Sequence, residues 1–148
     1  MISENRRLLV DTSYLVAHFH TKDAHHGSAQ GVQDQFMSGR WDELVLIDAV
    51  FAETVTVLAA RTGYGRAKQV GDLLRNGDEI TWVHMGDRMD GVWHRYLAQP
   101  DGRLSVVDCA IWTVAEESRI PEIATFDRSF DDVPGLKRVP HEDANASS

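Results

Sequence analysis

Four carboxylates stand where apolar runs of this chain end or give way to helical spacing: Asp11 after Leu8-Leu9-Val10, Glu53 after Val50-Phe51-Ala52, Asp108 after Val106-Val107, and Asp127 after Ile123-Ala124-Thr125-Phe126. An acid beside a hydrophobic element costs desolvation free energy unless it is hydrogen-bonded, paired or bound to a cation. Several such acids therefore point to one shared cation. Carboxylate oxygens suit hard divalent ions such as Mg²⁺ or Mn²⁺, and carboxylates from separate strand ends offer an incomplete octahedron open to a phosphate oxygen. The chemistry such a site would serve is phosphodiester hydrolysis: the ion lowers the pKa of a bound water, orients the phosphate and stabilises charge on the leaving oxygen. No serine or cysteine nucleophile is then required.

The elements that must position these acids are legible as punctuation. Five short β-capable runs, Leu8–Val10, Leu44–Ile47, Ile80–Val83, Ile123–Phe126 and Leu136–Val139, read as strands. Between them Tyr14–Phe19, Ala24–Met37, Val50–Ala60, Ala67–Leu74, Arg88–Leu97 and Ser105–Glu117 carry helical spacing. Strands alternating with helices imply an α/β fold with a mostly parallel sheet of about five strands covered by helices. Asp48 is placed to cap the Val50 helix, Gly63 follows its end, and Ser105-Val106-Val107-Asp108 matches a capping box with Asp in place of Glu. In an open parallel sheet ligands bind outside the carboxyl ends of the strands, where the strand order reverses. All four acids fall at strand ends or in the helix starts that share that edge.

Each acid also has an ordinary explanation. Asp11 suits a helix cap, Asp108 the return partner of Ser105, Asp127 an Asx turn before Ser129, and Glu53 a helix-start acid favoured by the dipole.

The bulk numbers narrow the classes. At 148 residues and 43% hydrophobic, the chain has material for one domain with a real core, expected over residues 1–140, followed by a small, polar, frayed tail at 141–148. The single cysteine, Cys109, leaves no intrachain disulfide, and no secretory leader is visible, so a cytoplasmic protein is expected. No apolar run approaches the roughly 20 residues that cross a bilayer, which sets membrane insertion aside. A net charge of −8 argues against broad, salt-driven attachment to nucleic acid. It leaves room for an enzyme whose cation inverts the local field.

The segments around the acids resemble the PIN domain, in particular the small VapC-type ribonuclease toxins of type II toxin–antitoxin pairs, over nearly the whole chain. "LLVDTSYLVA" is similar to that family's opening strand and first acid, and "DAVFAETVTVL" to the helix carrying the second. "LSVVDCAIWTVAEE" is similar to the third-acid helix, and "IPEIATFDRSFDDVPGL" to the fourth-acid strand and turn. The stretch Lys22-Asp23-Ala24-His25-His26 resembles the family's entry to its second helix.

The resemblance implies a three-layer α/β/α fold and a Mg²⁺- or Mn²⁺-dependent endoribonuclease with Asp11, Glu53, Asp108 and Asp127 as its metal-centred catalytic acids. Metal-activated water would attack phosphorus and leave a 3′-hydroxyl; one ion or two remains open. Ser13 and Thr125 match hydroxyl positions that orient a carboxylate, water or phosphate. Asp131 is a further candidate acid, and Arg128 the candidate for substrate contact. The implied partners are RNA, a cognate antitoxin and a second protomer. Competing classes are a PIN-like module that holds RNA or protein without cleavage, a receiver domain and a haloacid-dehalogenase-like phosphatase. The last two lack their signatures, since Thr12 and Ser13 follow Asp11 where each expects a further acid.

Other residues carry weaker signals. His18, His20, His25 and His26 cluster in sequence, but with no cysteine nearby they read as surface or capping histidines rather than zinc ligands. Cys109 reads as a buried thiol. Trp41, Trp82, Trp93 and Trp112 could stack on bases, with core packing favoured for Trp82 and Trp112. Arg40, Arg88 and Arg103 could meet phosphates. Phe36, Met37, Tyr64, Val70, Leu73 and Leu74 either close the core or leave a groove for an amphipathic antitoxin helix.

Overall fold

The computed structural model describes residues 5–141. Its strands are β1 (Arg7–Val10), β2 (Glu43–Ile47), β3 (Ile80–Val83), β4 (Glu122–Ala124) and β5 (Lys137–Val139). They pair entirely in parallel, in the order β3-β2-β1-β4-β5. Among the described residues the connections hold α1 (Thr12–Phe19), α2 (His26–Met37), α3 (Asp48–Thr62), α4 (Tyr64–Arg75), α5 (Met89–Ala98) and α6 (Val106–Ser118). This is the expected α/β architecture, and the sheet is wholly rather than mostly parallel.

Leu8, Leu9 and Val10 of β1 are each at most 2% exposed. Successive strand side chains point to opposite faces, so burial of all three means that both faces of the sheet centre are covered. That explains why the run shows no apolar–polar alternation. The chain runs outward from β1 through β2 to β3, then returns to β4 and β5 on the other side, so the order reverses between β1 and β4. The register sets Val10 beside Ala124, and Asp11 N–H donates to Ala124 O at 3.0 Å. Asp11 and Thr125 thus leave the sheet side by side at the reversal.

Several boundaries differ from the sequence expectation for identifiable reasons. The fourth strand stops at Ala124 instead of Phe126, because side-chain hydroxyls take over from the ladder. Phe126 N–H donates to Ser13 Oγ (2.9 Å) and Asp127 N–H to Thr125 Oγ1 (3.0 Å). The second helix starts at His26 because Asp23 organises a turn before it, accepting the His25 N–H at 2.8 Å. Asp48 is the first residue of α3 and not its cap; its Oδ1 accepts the N–H groups of Ala49 (2.8 Å) and Met85 (2.9 Å), tying the β3 exit to the helix. Gly63 joins α3 to α4 at φ 97°, a conformation only glycine adopts without strain. The tail expected at 141–148 lies, from residue 142 on, outside the described residues, as do residues 1–4.

Candidate metal centre

Asp11 follows β1 at the N-terminus of α1, yet its side chain makes no cap bond to that helix. Its Oδ2 instead accepts the Thr125 hydroxyl at 2.7 Å and faces Ser13 Oγ at 3.2 Å, while Ser13 Oγ and Thr125 Oγ1 lie 3.1 Å apart. Each hydroxyl has one proton to donate. Thr125 directs its proton to Asp11 and accepts from Asp127 N–H, while Ser13 accepts from Phe126 N–H and directs its proton to Asp11 or Thr125. The network therefore fixes Asp11 and stitches the end of β1 to the segment leading into Asp127.

Asp11 is 7% exposed. Burial pushes its carboxyl up from 3.8 to about 6, helped by the charges of Asp108 and Asp127 and opposed by the bond from Thr125. Asp108 is raised too, by burial first and then by the charges of Asp127 and Glu53. These mutual repulsions bring the four acids into one electrostatic neighbourhood. Asp11, Glu53, Asp108 and Asp127, with Ser13, all line a single cleft of about 560 Å³.

Two of the ordinary explanations hold alongside this placement. Asp108 closes a true capping box: its Oδ2 accepts Ser105 N–H at 2.9 Å and its own N–H donates to Ser105 Oγ at 3.0 Å. Asp127 caps the short 3-10 helix Arg128–Asp132, its Oδ1 accepting Ser129 N–H at 2.9 Å. Each bond immobilises one carboxylate oxygen and leaves the other, Asp108 Oδ1 or Asp127 Oδ2, without a hydrogen bond among the described residues. Glu53 lies on the exposed face of α3.

The donors are all oxygens, and the buried Asp11 carboxyl is a group whose charged form a divalent cation would restore. Among the described residues there is no group of three or more His, Cys, Asp or Glu side chains placed to hold a metal ion together. Mg²⁺ does not need one, since it keeps several waters and takes only one or two carboxylates directly. The residues present fit such an ion.

Not every candidate joins this cleft. Asp131 does not: Arg138 Nε and Nη2 donate to its two oxygens at 2.7 and 3.1 Å, so this acid offsets a buried guanidinium. Arg128 is exposed and does not line the cleft. Arg40, Arg88 and Arg103 are paired with Glu122, Glu117 and Asp132. Trp41, offered as a base platform, is 3% exposed and donates its indole N–H to Glu122. Trp82 and Trp112 are half-buried against the core, Trp93 is exposed, and Cys109 is buried. The apolar candidates split: Val70 and Leu74 are buried, whereas Met37, Tyr64 and Leu73 are 73%, 74% and 60% exposed.

Three ionisable residues of the cleft were not among the candidate site residues: Asp23, His25 and Arg61. Arg61 was discoverable, because Glu53, Val57 and Arg61 recur every four residues on α3 and therefore share a face. His25 carried no such signal, since only the folded chain sets its ring on Phe126, 4.3 Å between centroids and 9° from parallel.

Comparison with known proteins gives a consistent placement. No curated protein matches the chain by sequence. Among solved structures it is similar to the Mycobacterium tuberculosis toxin VapC20, described as cleaving the sarcin–ricin loop: TM-score 0.76, 23% identity, covering 86% of this chain and 95% of that one. It is also similar to a chain of VapBC2 from Rickettsia felis bound to a promoter DNA fragment (TM-score 0.57, 11% identity, 89% and 98% covered). A toxin–antitoxin complex from Klebsiella pneumoniae gives a TM-score of 0.58 at 15% identity, with 92% and 99% covered. At these identities the likeness speaks for the fold. The family model of the PIN domain matches residues 8–136, and with that match running from β1 through β4 and including all four acids, the chain belongs to the PIN domain family.

Proposed function

We propose that this protein is a Mg²⁺- or Mn²⁺-dependent endoribonuclease, the toxin of a toxin–antitoxin pair, acting in the cytoplasm as one domain over residues 1–140. The observation that carries the proposal is the convergence of Asp11, Glu53, Asp108 and Asp127 from four separate elements on one cleft at the strand-order reversal. When bound, the cation supplies Lewis acidity for water and for the phosphate. Asp11, Asp108, Asp127 and Glu53 would hold it, directly or through its waters. Ser13 and Thr125 keep Asp11 Oδ2 in place, and the capping bonds of Asp108 and Asp127 engage one oxygen of each carboxylate and fix its side chain.

RNA as substrate is supported by the fold shared with a toxin described as cleaving the sarcin–ricin loop. An antitoxin partner is supported by the similar chains that come from toxin–antitoxin complexes. The exposed Met37, Tyr64 and Leu73 give such a partner, or a second protomer, apolar surface to cover. Among the described residues no helix is long and apolar enough to cross a membrane.

The test is cleavage of single-stranded and structured RNAs with Mg²⁺ or Mn²⁺, comparing wild type with Asp11→Asn and Asp108→Asn. Cutting that needs the ion and is lost in both variants supports the proposal. If Mn²⁺ raises the melting temperature but no RNA is cut, the protein is a non-cleaving PIN module.

A further inference from the structure

We propose that the cleft holds, beside the acids, a subsite for one unpaired nucleotide, with Arg61 gripping its phosphate and the stacked rings of His25 and Phe126 carrying its base; this rests on the ribonuclease reading above. In a cleft ringed by acids on a chain of net charge −8, a polyanion needs a fixed positive contact. Arg61 is the one Lys or Arg among the described cleft-lining residues. Its ion pair with Asp23 is long, at 3.4 Å, and its side chain is 55% exposed. Asp23 is only 14% exposed and is held by the His25 N–H, so it stays in place while the long contact leaves the solvent-facing guanidinium able to engage a phosphate bidentately.

Asp23 organises both halves of the subsite. Its Oδ1 accepts the His25 N–H at 2.8 Å and its Oδ2 faces Arg61. The turn so formed lays the His25 imidazole flat on Phe126, the residue immediately before Asp127. Phe126 is partly buried and His25 is exposed, so the pair forms a platform anchored in the protein and standing at the cleft. Aromatic platforms bind bases of unpaired nucleic acid with little regard to sequence, and duplexes present no base face to them. The ordinary alternative is that the stack only pins the loop onto the core, and the two roles respond differently to substitution.

The experiment measures fluorescence anisotropy of a short, fluorescein-labelled single-stranded RNA of mixed sequence on the Asp11→Asn protein, into which His25→Ala, His25→Phe, Arg61→Ala and Arg61→Lys are built. A stacking role predicts binding about tenfold weaker for His25→Ala and near-parental binding for His25→Phe. Arg61→Ala is expected to weaken binding and to flatten the log–log salt dependence by about 0.7, the share of one phosphate contact on a single strand, with Arg61→Lys recovering the slope. Equal loss in His25→Ala and His25→Phe, no loss in either, or no binding by the parent overturns the subsite. Cleavage by the otherwise wild-type protein is scored separately. If it cuts RNA while His25→Ala and Arg61→Ala bind as the parent does, the subsite alone fails. If the binding differences hold but nothing is cut, the subsite stands and the nuclease proposal fails.

Discussion

Asp11→Asn should make the metal-free protein more stable at alkaline pH and should abolish its response to Mn²⁺. The Asp11 carboxyl titrates at about 6 in the folded chain against an ordinary 3.8, chiefly because it is buried. A raised folded pKa means that the folded state prefers the protonated acid. The associated stability is therefore complete below about pH 4 and is lost as pH climbs through 6. A two-unit shift corresponds to roughly 3 kcal/mol of destabilisation at pH 8.

With an unfolding entropy of about 2 cal/mol/K per residue, that is on the order of 10 °C in melting temperature for this chain. Asn retains an oxygen for the Thr125 hydroxyl but buries an NH₂ that must find an acceptor, which offsets part of the gain. The expected result in chelator is a variant melting about 5 °C above wild type at pH 8 and about 5 °C below it by pH 4, where the gain is lost and only the penalty of the buried NH₂ is left. Saturating Mn²⁺, at about 100 times its dissociation constant, should add roughly 2.7 kcal/mol to wild type alone and reverse the order. Differential scanning fluorimetry across pH, with and without Mn²⁺, reads both effects. A variant less stable than wild type by the same margin at pH 4 and pH 8 would refute the view that burial of this charge governs the site.

Other expectations follow from the same geometry. Thr125→Val removes the hydroxyl that donates to Asp11 and accepts from Asp127 N–H. Stability should fall by about 1–3 kcal/mol and cleavage should drop sharply, with Thr125→Ser retaining most of both. Ser105→Ala deletes half of the capping box and should cost about 1 kcal/mol in urea unfolding. It should change Mn²⁺ affinity little, because the Ser105 N–H still holds Asp108. Asp131→Asn should leave ribonuclease activity intact while lowering stability at neutral pH, since this carboxylate, kept below its usual range by Arg138, offsets a buried guanidinium. That contribution is present at neutral pH and lost on acidification, so the two proteins should converge as pH falls below the usual carboxylate range. The Cys109 thiol, fully buried, should resist a thiol reagent in the native state and react on unfolding.

The α/β class, five strands and six helices were written in the alternation of short β-capable runs with helical spacing, because burial of a parallel sheet on both faces demands unbroken apolar strands such as Leu8-Leu9-Val10. The four acids were equally legible, since a carboxylate abutting an apolar run is conspicuous in a linear string. The Ser105–Asp108 box and the Asp127–Ser129 turn could be read the same way, because their partners lie within three residues.

What the string could not supply was any relation across long separations. Only the pairing of β1 with β4 brings Thr125 to Asp11, 114 positions apart, and gives the Phe126 N–H the Ser13 hydroxyl as acceptor where the fourth strand ends two residues early. Only packing decides that Arg138 claims Asp131, that Trp41 is buried rather than offered to a base, and that the Asp23 turn brings His25 onto Phe126 and Arg61 into the cleft. Local propensity and patterning select the elements, but desolvation and partner choice for each charge depend on what the fold brings within a few ångströms.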